Sequence, residues 1–266
     1  MTNKIRLIAE LGWNWVGDES LAKRMIHAAA EAGADIVKFQ TWKVSRLIPG
    51  PWDHDGRRQI YENAELTEEK HLMMKEECEK AGVQFLTSVF CPDDLDFVRT
   101  LMSEVKIPSP EICNSDLMKR ALDKFDHLYV STGAATVSEW MCWALHEKIT
   151  LLHCVSSYPC NPENFHICKF NTIRTMTSKE FGFSGHSPII WDAVFAISHG
   201  ATIIEKHFTI DNELPGRDNK FALLPETFKQ LRDFADTYVK MQEEYPMDNI
   251  LECEKDYRKF QKGRWG

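Results

Sequence analysis

The segment Ile203-Ile204-Glu205-Lys206-His207-Phe208-Thr209 reads as a short β-branched strand that carries a glutamate and a histidine to its own carboxyl end. Side chains alternate faces along a strand, so Glu205 and His207 point the same way. By the same parity, Ser184 and His186 of Ser184-Gly185-His186 share a face one strand earlier. Two imidazoles then meet at one rim. A single histidine at a strand end is ordinarily just a hydrogen-bonded residue, so the meaning of this pair depends on what the other strands bring.

Upstream of this segment, short apolar runs alternate with longer amphipathic ones. The pattern predicts strands at 5–11, 35–40, 83–88, 104–109, 127–131, 149–155, 180–184 and 201–206. Helices are predicted at 19–32, 67–80, 92–102, 115–124, 136–146, 168–178, 188–199 and 225–244, with start signals at Asp18-Glu19 and at Thr67 before Glu68-Glu69. Strand-then-helix units in this number, joined by right-handed crossovers, close most naturally into a (βα)8 TIM barrel. The expected organisation is one α/β domain over 1–244 followed by a tail over 245–266. A doubly wound open sheet would call for a glycine fingerprint after the first strand, and Gly12-Trp13-Asn14-Trp15-Val16-Gly17 lacks its spacing. Three long connections, 40–67, 156–168 and 209–225, follow strands, which places them on the carboxyl face of a barrel.

The composition is that of an ordinary globular protein, 43% hydrophobic and 27% charged. Its 32 basic and 40 acidic residues give a net charge of -8, which argues against nucleic acid or an anionic membrane as the main partner. The basic N-terminus runs directly into a strand without a signal-peptide core, and no apolar run reaches membrane-helix length, so the cytoplasm is the expected location. The eight cysteines are scattered without a Cys-x-x-Cys, which indicates neither a zinc cluster nor a disulfide framework.

Applied to every strand, the parity argument gathers polar residues at one rim. They are Glu10; Lys38 and Gln40; Thr87 and Ser88; Lys106 and Ser109; Ser131 and Thr132; Ser156 with Tyr158 beyond it; Ser184 and His186; and Glu205 and His207. Buried lysines are costly unless an anion compensates them. Pairing of Lys38 and Lys106 with Glu10 and Glu205 would satisfy that need structurally, whereas lysines accompanied by several hydroxyls form a cradle for phosphate or carboxylate. Two imidazoles cannot close a structural zinc site, but they suit a divalent ion with open positions. Asp218, in Pro215-Gly216-Arg217-Asp218, is either a turn residue or a ligand to a polyol or a metal shell. Trp13, Trp15, Trp42 and Trp52 cluster in the first two βα loops and suit either loop anchoring or a sugar ring.

These residues carry a resemblance. Ala9-Glu10-Leu11-Gly12, Val37-Lys38-Phe39-Gln40-Thr41, Lys106-Ile107-Pro108-Ser109, Ser131-Thr132-Gly133, Ser157-Tyr158-Pro159, Ser184-Gly185-His186, Ile204-Glu205-Lys206-His207-Phe208-Thr209 and Pro215-Gly216-Arg217-Asp218 follow in one order along nearly the whole chain. In that order the sequence resembles the sialic acid synthases, which condense phosphoenolpyruvate (PEP) with an N-acylated sugar. The resemblance implies that Glu10, Lys38, His186 and His207 are catalytic and that His186 and His207 hold manganese or magnesium. It also implies that Lys38, Ser88, Lys106, Ser109, Ser131, Ser156 and Ser184 bind PEP, and that Gln40, Tyr158 and Asp218 lie on the sugar side.

The chain departs from the family pattern at several places. Gly185 stands where the family usually has aspartate, Trp15 where it has histidine, and Ala222 where serine is frequent. The resemblance further implies a homodimer. The family commonly continues into a small antifreeze-like domain that reaches into the partner subunit's site, and this chain is expected to lack it; either a separate protein supplies that contact, or the Trp-rich loops and the basic tail replace it, or the substrate does not need it. A metal-assisted sugar-acid aldolase or lyase, and a non-catalytic sugar-binding barrel acting beside a partner, are the alternative functions these residues leave open.

Overall fold

A computed structural model describes residues 4–177, 180–243 and 248–265. Its eight strands are β1 (Arg6–Glu10), β2 (Ile36–Thr41), β3 (Gln84–Val89), β4 (Glu104–Ile107), β5 (His127–Ser131), β6 (Ile149–Cys154), β7 (Gly182–Gly185) and β8 (Ile203–His207). They pair in sequence order, all parallel, and β8 pairs back onto β1 to close the barrel. The helices are α1 (Glu19–Glu31), α2 (Arg57–Ala64), α3 (Glu68–Ala81), α4 (Leu95–Leu101), α5 (Ser115–Lys124), α6 (Val137–Met141), α7 (Ile167–Met176), α8 (Trp191–Ser198), α9 (Pro225–Met241) and α10 (Lys255–Gln261). The (βα)8 expectation therefore holds as a single domain. No helix among the described residues is long and apolar enough to cross a membrane.

Local chemistry accounts for the helix starts. Asp18 accepts from the Leu21 amide at 3.1 Å and Thr67 from the Lys70 amide at 3.2 Å, each satisfying one of the unpaired N–H groups of a first turn. Outward-facing strand residues such as Leu7, Phe39, Val105 and Ile204 pack against the helices in one continuous core. The barrel interior is layered. At the amino end, Arg6 donates to Tyr129, Gln84 and Glu104 and plugs the bottom with a polar network. Above it Ile8, Ile36, Leu86, Leu152 and Ile203 form an apolar floor. The next inward positions carry the polar rim.

Several predicted boundaries move. Helix 136–146 shortens to α6 because the chain turns after Met141, and helix 92–102 opens with a 3-10 turn at Pro92–Asp94. Position 178 of one predicted helix, and 244 of another, lie outside the described residues, as do 245–247 and 266 of the predicted tail. Two helices were not expected. In α2, inside the long connection after β2, only Tyr61 and Ala64 are buried, too few for an apolar period to show. In α10, within the tail, no residue is buried.

Phe228 of α9 is fully buried against Phe208, with ring centroids 5.5 Å apart. Phe228→Ala should cost about 3–5 kcal/mol of stability and Asp18→Ala about 1 kcal/mol, read as shifts in urea midpoint at constant slope. Equal losses would contradict this division between core and cap.

Candidate active site

The carboxyl ends of the strands open into a cavity of about 570 Å³. Four charged side chains alternate in sign across its floor. The Lys38 ammonium stands 2.6 Å from Glu10 Oε2 and 3.5 Å from Glu205 Oε1, and Lys106 Nζ stands 2.8 Å from Glu205 Oε2. Hydroxyl and amide groups add further hydrogen bonds. Lys38 donates to Ser88 Oγ at 2.8 Å, Ser184 Oγ to Glu205 Oε1 at 3.1 Å, and Gln40 Nε2 to Glu10 Oε1 at 2.7 Å. All four charged residues are buried, and strand parity is what aims them inward.

Their protonation follows from their neighbours. Burial pushes the Glu10 carboxyl up to about 7; Lys38 counteracts this and Glu205 adds to it. Burial also opposes ionisation of Glu205, yet Lys106 and Lys38 together overcome it and hold that carboxyl well below the usual range. Lys106 is shifted down by burial, because its single carboxylate partner is offset by the repulsion of Lys38. For Lys38 the two glutamates outweigh burial, and its affinity for a proton rises.

The imidazoles occupy the adjoining wall. His186 and His207 have ring centroids 5.4 Å apart, with Tyr158 stacked on His186 at 4.0 Å and Phe221 against His207 at 5.1 Å. Burial lowers the His186 ring to about 4 and the His207 ring well below its ordinary value, so both are neutral at neutral pH. The hydrogen bond of His186 Nδ1 to the Val155 carbonyl at 2.8 Å requires its proton there and leaves Nε2 as a lone pair. His207 Nδ1 is buried without a hydrogen-bond partner, with Asp218 Oδ2 at 3.8 Å. Among the described residues no group of three His, Cys, Asp or Glu side chains is arranged to hold a metal. Two neutral nitrogen donors with an orphaned ring atom fit a divalent ion that completes its shell from water or substrate, and do not fit a closed structural site.

Of the residues singled out from sequence, Glu10, Lys38, Gln40, Ser88, Lys106, Ser109, Ser131, Tyr158, Ser184, His186, His207 and Asp218 all line this cavity. Ser131 Oγ is buried there without a hydrogen-bond partner, and Ser109 Oγ accepts from the Gly133 amide at 3.0 Å. A Cβ on Gly133 would lie 2.2 Å from Ser156 Oγ and 2.6 Å from Ser109 Oγ, so only glycine lets these hydroxyls approach the backbone. Ser156 itself is exposed and is not part of the cavity wall, because the chain has already left β6 at Cys154. Thr87 turns outward and joins Thr41, which also contacts His71, in a buried network behind the strands.

The aromatic expectation divides. Trp13, Trp42 and Trp52 line the cavity, with Trp13 stacked on Tyr61 at 4.2 Å, whereas Trp15 is fully buried and donates to the Gly12 carbonyl. Sequence reasoning missed Arg46, Arg57, Tyr61 and Cys154 in the cavity wall. The first three sit in the long connection after β2, where no strand parity applies. Cys154 was within reach of the parity argument, being two positions beyond Leu152 on the inward face of β6.

A model of the NeuB family matches residues 25–245. N,N'-diacetyllegionaminic acid synthase of Legionella pneumophila is 33% identical over 271 residues, covering 92% of this chain and 76% of that protein. Pseudaminic acid synthase of Campylobacter jejuni is 30% identical over 248 residues, covering 86% and 72%. Among solved structures, N-acetylneuraminic acid (sialic acid) synthetase from Leptospira borgpetersenii, in complex with citrate, superposes with a TM-score of 0.85 at 28% identity, covering 99% of this chain and 94% of that one.

Because the folded Glu10 carboxyl is raised from 4.5 to about 7, the fold favours its protonated form. Its contribution is intact below pH 4.5 and is lost as pH rises through about 7, by roughly 3 kcal/mol. Relative to wild type, Glu10→Gln should therefore gain stability between pH 5 and 8 in denaturant titrations. A difference independent of pH would contradict the assignment.

Proposed function

The chain belongs to the NeuB family and is a PEP-utilising, carbon–carbon bond-forming enzyme; from that premise we propose that it joins PEP to an N-acylated sugar aldehyde of the sialic acid type, giving an ulosonic acid and inorganic phosphate. The observation that carries this reading is the pair of buried ammonium groups, Lys38 and Lys106, on a hydroxyl-rich floor beside two neutral imidazoles. PEP presents a phosphate and a carboxylate, and the two lysines with Ser88, Ser109, Ser131 and Ser184 are the groups proposed to receive them. Gln40, Tyr158 and Asp218, beneath Trp13 and Trp42, are proposed to face the sugar.

In this mechanism the methylene carbon of PEP attacks the aldehyde carbon with its double-bond electron pair, and the aldehyde oxygen becomes a hydroxyl with a proton given by the protonated Glu10 carboxyl. The new bond leaves C2 electron-poor, and the fixed charges around it are already oriented to stabilise that change. Water adds at C2 and gives its proton to Glu10, whose carboxyl is tuned to exchange protons near neutrality. The bond from C2 to the phosphate oxygen then breaks, phosphate departs with the electron pair and takes the proton of the hydroxyl that water left on C2, and C2 becomes the keto carbon. His186 and His207 would hold manganese or magnesium, which when bound supplies Lewis-acid polarisation of the sugar carbonyl. The homodimer implied by the resemblance and the cytoplasmic setting expected from the sequence belong to this proposal as well.

Protein supplied with PEP, Mn2+ and N-acylated hexosamine or bacillosamine-derived acceptors should release phosphate only when an acceptor is present. Silence across that panel and across plain hexoses and pentoses would sink the reading. Lys106→Ala should raise KM for PEP by roughly 10–100-fold and leave the sugar KM near its original value; equal rises would indicate a folding defect instead. His207→Ala should abolish the rise in Tm caused by Mn2+ while the fold survives, and a full metal response in that variant would remove His207 from the metal assignment.

A further inference from the structure

β8 turns Glu205 and His207 into the barrel and Lys206 out of it. Lys206 is nevertheless 1% exposed. Its ammonium donates to the carbonyls of Ser187 and Ile189, both at 2.9 Å, and to Ser187 Oγ at 3.0 Å. It also stands 2.9 and 3.1 Å from the two carboxylate oxygens of Asp192, to which the Ser187 hydroxyl donates at 2.6 Å. All these acceptors lie in residues 187–192, the segment that leaves the barrel directly after His186 and enters α8. A buried ion pair is weak evidence for stability, because its desolvation cost offsets its attraction. What this one does is tie the chain that follows His186 to the strand that carries His207.

Gly185 faces Lys206 across the β7–β8 ladder. A Cβ at Gly185 would lie 2.8 Å from Asp192 Oδ2 and 2.5 Å from the Phe183 ring. The Asp192 carboxylate thus fills the space of a side chain at position 185, where the resemblance leads one to expect an aspartate. On its other side His186 is fixed by its Nδ1 bond to the Val155 carbonyl and by the Cys160 amide, which donates to the His186 carbonyl at 3.1 Å.

We propose that Lys206 and Asp192 are positioning residues that set the orientation of His186, with Asp192 supplying from α8 the carboxylate that position 185 lacks. This rests on the reading of His186 as a metal ligand only for its consequence in metal affinity; the orientation itself is a property of the metal-free protein. Groups that orient a ligand imidazole typically alter metal affinity by about 10–100-fold when removed.

The test reads both levels. Long-range 1H–15N spectra of the metal-free wild type should show His186 as a single Nδ1–H tautomer. Asp192→Ala should give mixed tautomers and bind Mn2+ about tenfold more weakly by electron paramagnetic resonance titration. Lys206→Met with Asp192→Leu replaces the pair with apolar groups of similar bulk, so the fold should persist by circular dichroism while the tautomers still mix. An unchanged His186 tautomer in either folded variant would overturn the proposal. Wild-type protein that binds no Mn2+, with tautomers that still mix in the variants, would refute the metal reading and uphold the positioning role.

Discussion

Glu10, Lys38, Glu205 and Lys106 stand in one row, alternating in sign, at the mouth of a barrel that has removed them from water. A single buried charge without its partner would be strongly destabilising, on the order of 3–5 kcal/mol. The strands that carry these residues therefore have little freedom in register. β1 pairs with both β2 and β8, setting Glu10 beside Lys38 and His207, and β8 pairs with β7, setting Ser184 beside Glu205. The apolar floor of Ile8, Ile36, Leu86, Leu152 and Ile203 lies below the row and keeps the amino-end polar network around Arg6 apart from it. The charges lie in a buried seat at the floor of the cavity.

That seat explains the rest of the cavity. An anion arriving above Lys38 and Lys106 meets cations already oriented, with hydroxyls of Ser88, Ser131 and Ser184 in place, so little reorganisation accompanies binding. The same burial that raises the Glu10 carboxyl keeps His186 and His207 neutral, which is the state in which an imidazole offers a lone pair. Above them Trp13, Trp42 and Tyr61 form an aromatic wall on the loop side, suited to the apolar faces of a sugar. The proposed reaction would set its anionic partner against the charged floor and its sugar against the aromatic wall of one cavity.

The strand-borne part of this arrangement was legible in the sequence because a two-residue period leaves little ambiguity: once the strands are placed, Glu10, Lys38, Lys106, Ser131, Ser184, Glu205 and His207 must share a rim. Period and burial also identified the barrel from the alternation of its units. Two of the residues assigned to the rim are not on it. Ser156 stands beyond the end of β6 and falls outside the cavity wall, and Thr87 sits on the opposite face of β3 from Ser88. Strand parity was silent in the loops, where Arg46, Arg57 and Tyr61 are brought in by tertiary packing and α2 is too short to show an apolar stripe. The clamp of Lys206 on Asp192 was hidden for another reason: its partners lie fourteen positions apart on different elements, and nothing local marks Asp192 as the occupant of the space beside Gly185.

The most direct test of the central claim follows an oxygen atom. PEP carrying 18O in the bridge between C2 and phosphorus, incubated with the protein, Mn2+ and an accepted sugar aldehyde, should deliver the label to inorganic phosphate, with unlabelled water supplying the keto oxygen of an ulosonic acid. Label retained in the organic product, or phosphate released without a new carbon–carbon bond, would contradict the account.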